Sequence, residues 1–112
     1  VVIFGGGLGI PFVSTDTAAV VRAAEIGADV VLMAKNIDSI YTADPRKDPS
    51  AEKISEITYK EILARGLQAM DSTATSFAMD NKISIHVFGL NECENIFKVI
   101  MGAEMGTIVK GE

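Results

Sequence analysis

At 112 residues the chain has enough length for one domain with a real core, and although 48% of it is apolar, no run approaches the length of a membrane span. A formal net charge of −5, with the ten Lys and Arg residues forming no long basic run, argues against nonspecific binding to nucleic acid. Cys93 is the only cysteine, which excludes an internal disulfide and a Cys-based zinc site; it suggests a reducing cytoplasm and a thiol that is buried or incidental.

Val1–Phe4 is an apolar run and predicts a buried strand. It begins without Met and without a basic leader, so no signal peptide is visible, and a start inside a strand implies a preceding N-terminal portion. Gly5-Gly6-Gly7-Leu8-Gly9 follows and leads through Ile10–Val13 into Ser14-Thr15-Asp16, all competent helix N-caps. A strand, a glycine turn and a helix start together build an anion site, because glycines let backbone approach a ligand and helix N–H groups attract phosphate. The known phosphate-loop templates fail: no Gly-Lys-Ser/Thr follows, and Ile10 or Phe12 stands where a dinucleotide fingerprint needs its third glycine.

Asp16–Gly27 reads as a helix of mostly good formers stopped by Gly27, and Ala28–Ala34 as a strand apolar on both faces. A long loop carrying Asp38, Asp44-Pro45 and Asp48-Pro49 comes next, of a length that is usually functional or disordered. Thr58 and Glu61 form a capping box for Tyr59–Arg65, stopped by Gly66; a further helix spans Ser72 to Asn81, capped by Asp71 or Ser72. Ser84–Phe88 predicts a strand with a lone, structural His86, then Glu94–Met101 a short helix and Thr107–Val109 a closing strand. The alternation implies an α/β fold, a largely parallel sheet with helices on both faces, whose ligands bind at the carboxyl ends of the strands.

The string Gly-Gly-x-Gly-x-Pro-Phe-x-Ser-Thr-Asp-Thr-Ala-Ala, then Glu-Ile-Gly-Ala-Asp-Val-Val-Leu-Met-Ala-Lys and Ile-Asp-Ser-Ile-Tyr-Thr-Ala-Asp-Pro, closely resembles the bacterial uridylate kinases of the amino-acid-kinase superfamily. Gln68–Ala74, Ile85–Leu90 and Met105–Val109 extend the resemblance over essentially all of residues 1–112, in order. It implies an amino-acid-kinase-like sandwich of which this chain is the C-terminal, nucleotide-binding portion. The glycine-rich nucleotide loop and catalytic lysine of the N-terminal half have no match here. The implied reaction is ATP plus UMP giving ADP plus UDP, with Mg²⁺, in a cytoplasmic hexamer tuned by GTP and UTP, with neither nucleic acid nor membrane as partner.

By resemblance, Leu8, Gly9, Ile10, Pro11, Phe12, Val13, Ser14 and Thr15 lie against UMP, Asp16 sits at the reaction centre orienting catalytic groups or the metal, and Asp71 acts near the acceptor end. Lys35, Tyr41 and Asp44 serve ATP: an ammonium for phosphate, an aromatic ring for the base and a carboxylate for the ribose. No residue is assigned as a metal ligand. Each role has a plainer counterpart: a helix cap for Asp16 and Asp71, a solvated loop lysine for Lys35. Three positions depart from the family. Leu8 and Ile10 stand where Thr and Asn are usual, with loss of polar contacts to substrate, and Ser39 replaces a glycine, with strain if its φ is positive. Besides the kinase, two readings stay open: a non-catalytic nucleotide-binding or oligomer-forming module of the same fold, and a superfamily kinase acting on a carboxylate or carbamate.

Overall fold

Capping chemistry sets where the helices begin and end. In the computed structural model, which describes residues 1–111, α1 (Thr15–Ile26) starts at Ser14, whose hydroxyl accepts from the Thr17 N–H at 3.2 Å, and stops at Gly27 in the left-handed region. The reciprocal Thr58–Glu61 box opens α2 (Tyr59–Arg65), with Gly66 left-handed at its end. Asp71 caps α3 (Ser72–Asp80), and α4 (Glu94–Ile100) starts at Cys93 without a side-chain cap. Asp16 is not a cap: it lies one residue inside the helix, because the Ser14 hydroxyl already serves the first turn.

The described strands are β1 (Val30–Lys35), β2 (Ile40–Tyr41), β3 (Lys53–Ile54), β4 (Glu56–Thr58), β5 (Ser84–Gly89) and β6 (Thr107–Lys110). Four form a sheet in the order β1-β5-β6-β4, parallel at β1–β5 and β4–β6 and antiparallel at β5–β6. The strands alternate as their register requires. Met33, Ile57, Ile85, Val87 and Val109 share one face and are buried with Val20 of α1, Tyr59 and Ile62 of α2, and Ala74 and Ala78 of α3. The other face carries His86 and Ile108, which line one cleft with Val99 of α4. Helices thus lie on both faces of a largely parallel sheet, as expected.

Three expectations need correction. Val1–Phe4 forms no strand and is exposed, because an extended run becomes a strand only where a neighbour takes its N–H and C=O groups, and none of the described strands does. β1 is not covered on both faces: Val30 is 44% and Leu32 37% exposed, while Met33, on the helix-packed face, is buried. The long loop is not structureless. It holds the antiparallel pair β2–β3 and the strand β4, pieces too short to display a period of two. Cys93 is exposed, Ser39 is buried without a positive φ, and His86 Nε2 bonds the Met105 carbonyl at 2.6 Å in a structural role.

Gly106 has a φ of +70°, and a Cβ there would come within 2.0 Å of the Val87 carbonyl oxygen, where β5 meets β6. Gly102 has a similar backbone, φ +92°, but open space around it. Gly106→Ala is expected to destabilise the fold by about 3 kcal/mol or more, against about 1 kcal/mol for Gly102→Ala, read from paired denaturant titrations.

Candidate active site

At the carboxyl end of β1 the chain delivers Lys35 beside the head of α1. Its ammonium donates to Asp16 Oδ2 at 2.9 Å and to the Ala69 carbonyl at 2.8 Å. Both side chains of the pair are 23% exposed, so this is no solvated loop lysine. Asp71 lies across from it. Its carboxylate accepts from the Ala74 N–H at 2.7 Å and the Thr17 hydroxyl at 3.3 Å through Oδ1, and from the Ser14 hydroxyl through Oδ2. The N-terminal caps of α1 and α3 are therefore bonded to each other, and two helix N-termini converge on one spot. Partial burial pushes the Asp71 carboxyl up, but the bonds from Ser14, Ala74 and Thr17 and the Lys35 charge outweigh it, leaving Asp71 below its ordinary value.

Asp16, Lys35 and Asp71 line a cleft of about 570 Å³, with Leu67, Gln68 and Ala69 of the α2–α3 connection as a wall. A second hollow of about 270 Å³ lies on the other side of Gly66–Gln68 and is lined by Ile37, Tyr41, Asp44 and Pro45. So Asp16, Lys35 and Asp71 come together, and Tyr41 and Asp44 come together next door. Asp44 also opens a turn, accepting from the Arg46 N–H at 2.9 Å. Thr17 was not singled out from sequence, although its place three residues after the Ser14 cap aims it the same way. Asp38 and Lys53 were also missed as Tyr41's neighbours.

Leu8–Val13 is not part of either cleft. Leu8 is half-buried, Ile10 is 58% exposed and Phe12 fully exposed with φ +65°, a region costly for a non-glycine residue. The segment ahead of this loop is held by Arg22 of α1, whose guanidinium lies over the Phe4 ring at 5.9 Å and reaches the Gly7 carbonyl at 3.5 Å. Among the described residues no three His, Cys, Asp or Glu side chains form a metal cluster, and no helix is long and apolar enough to cross a membrane.

Residues 1–89 match the model of the amino acid kinase family. The structure is similar to UMP kinase from Bacillus anthracis, with a TM-score of 0.91 and 34% identity over 97% of this chain and 45% of that one. It is similar also to UMP kinase from Ureaplasma parvum (TM-score 0.85, 35% identity, 93% of this chain and 45% of that one). Uridylate kinase from Archaeoglobus fulgidus follows with a TM-score of 0.75 and 35% identity, over 89% of this chain and 48% of that one. The chain thus spans less than half the length of each.

The Asp71 network has a pH signature. A carboxyl held below its unfolded value stabilises the fold above that value and loses the contribution as pH falls through the folded one. Asp71→Asn keeps a competent cap but loses the charge, so it is expected to cost about 1 kcal/mol at neutral pH. Thermal melts from neutral to acidic pH should show the gap between variant and parent closing below about pH 4.

Proposed function

The chain belongs to the amino acid kinase family, and we propose that it forms the carboxyl-terminal part of a UMP kinase, which transfers a phosphoryl group from ATP to UMP to give ADP and UDP. The observation that carries this reading is the cleft at the strand ends. An ammonium, two carboxylates and two helix N-termini meet there, beside a hollow with an aromatic ring and a carboxylate. The 34–35% identity to the bacterial UMP kinases supports the choice of acceptor.

Phosphoryl transfer between two nucleotides asks mainly for positioning and for cations beside the phosphates. Lys35 supplies one such cation, and the N-termini of α1 and α3 supply partial positive charge and N–H donors. Tyr41 and Asp44 take the base and ribose of ATP in the smaller hollow. Asp16, whose Oδ2 is paired to Lys35, keeps that ammonium at the mouth of the cleft. Mg²⁺ fits this donor set as a companion of the nucleotide: hard carboxylate oxygens are present, but too few for a cage, so phosphates must complete its shell. Asp16 would hold it, and bound there it would neutralise charge on the transferring group. Leu8 to Thr15 form the UMP side in this reading, and hexamer assembly with GTP and UTP control belongs to the same proposal.

A second reading, a nucleotide-binding module without transfer activity, is favoured by one feature. The Leu8–Val13 loop stands open, with apolar Leu8 and Ile10 where the family has polar groups.

In a coupled ADP-release assay the complete protein is expected to phosphorylate UMP with Mg²⁺-ATP, and the 112-residue chain alone to be inactive. Asp16→Asn should lower turnover by about two orders of magnitude or more while shifting the melt little, since Ser14 still caps α1. Leu8→Thr with Ile10→Asn should tighten UMP binding by about one to two orders of magnitude and leave ATP binding unchanged. Unchanged UMP affinity with lower stability would instead favour the module.

A further inference from the structure

Tyr41, on the wall of the smaller hollow, contacts two side chains with no part in the roles above, Asp38 and Lys53. The Tyr41 hydroxyl donates to Asp38 Oδ1 at 2.7 Å, and Lys53 pairs with Asp38 Oδ2, also at 2.7 Å. All three are fixed by backbone. Tyr41 and Lys53 are register partners across the β2–β3 pair. Asp38 is pressed against the end of β5, where a Cβ on Gly89 would lie 3.0 Å from Asp38 Cβ and 3.1 Å from its Cα. The pair β2–β3 is in turn bonded to β6 through the buried Thr107 hydroxyl, which accepts from the Ile40 N–H at 2.9 Å and donates to the Ile54 carbonyl.

From this geometry we propose that Asp38, held by Lys53, is a positioning residue that locks the Tyr41 ring as one wall of the ATP base pocket. An aromatic side chain offers a base its face only while its orientation is held, and a ring free to rotate must be ordered on binding. A phenol bonded to a carboxylate that is itself bonded to an ammonium has part of that freedom removed before the nucleotide arrives, although the Asp38 and Lys53 side chains are 46% and 60% exposed. The Asp38 carboxylate spends both oxygens on this arrangement and touches no substrate in it. The inference rests on the assignment of Tyr41 to the base of ATP, and its test separates the two.

ATP and UMP affinities are measured by titration of the complete protein, with melting curves alongside. Tyr41→Ala is expected to weaken ATP markedly. Tyr41→Phe and Asp38→Ala should each weaken it about three- to tenfold, Asp38→Asn less because its amide oxygen still accepts, and the Asp38→Ala/Tyr41→Phe pair no more than either alone. UMP affinity should stay level throughout. A direct readout is the ultraviolet difference titration of the complete protein, parent against variant, to which this chain contributes Tyr41 and Tyr59. Bonding to Asp38 raises the Tyr41 phenol, and burial pushes Tyr59 up to about 12, so Asp38→Ala should move one tyrosine to lower pH and leave the other in place. Loss of ATP affinity in Tyr41→Ala but not in Asp38→Ala or Tyr41→Phe would overturn the positioning role and spare the base assignment. Unchanged affinity in Tyr41→Ala would overturn both. Equal losses for ATP and UMP, tracking the melting temperature, would reduce Asp38 to a structural brace and overturn the proposal.

Discussion

The Lys35 ammonium, bonded to the Asp16 carboxylate and the Ala69 carbonyl, ties the end of β1 to the head of α1 and to the connection between α2 and α3. An ion pair of this exposure contributes little to stability, about 1 kcal/mol or less. Its weight is geometric, because one cation fixes three separate segments at the mouth of one cleft. The same spot carries the positive ends of two helices, which would repel each other if left bare. Asp71 answers that problem. Its negative charge sits at both N-termini at once, capping α3 directly and α1 through the Ser14 and Thr17 hydroxyls.

The second element of the site depends on a different constraint. β2 and β3 are two-residue strands, far too short to be stable as an isolated pair. A single buried hydroxyl, that of Thr107, serves both of them and so attaches the pair to the main sheet. Without that attachment the β2–β3 pair would lose its anchor on β6, and the hollow beside Gly66–Gln68 would lose a wall.

Much of this was legible in the sequence, and the exceptions have physical causes. Helices α1, α2 and α3 were visible because Ser14, Thr58, Asp71, Gly27 and Gly66 mark their ends by local chemistry that needs no tertiary contact. β5 was visible because it is buried at every position but Ser84 and His86. Val1–Phe4 misled because an apolar composition states a preference for burial but supplies no partner strand. The Lys35–Asp16 pair joins residues 19 apart, and the Asp71 bonds to Ser14 and Thr17 join residues 57 and 54 apart. Such contacts follow from the packing of α1 against α3, which no window along the chain displays. Gly106 was similarly silent, since its lack of room is set by the Val87 carbonyl.

The two faces of the sheet give the chain an uneven history to live under. Ile85 and Val87 are wholly enclosed by the helices on one side, while Leu32 and Ile108, neighbours of core residues on the same strands, stand partly open on the other. Neighbouring codons along β1 and β6 therefore carry very different burdens. Every second position has to conserve volume to within about a methylene, and the intervening ones are free to drift in size and polarity. Variation accumulating in such a chain would be written with a period of two, as a record of which side of the sheet each residue faces.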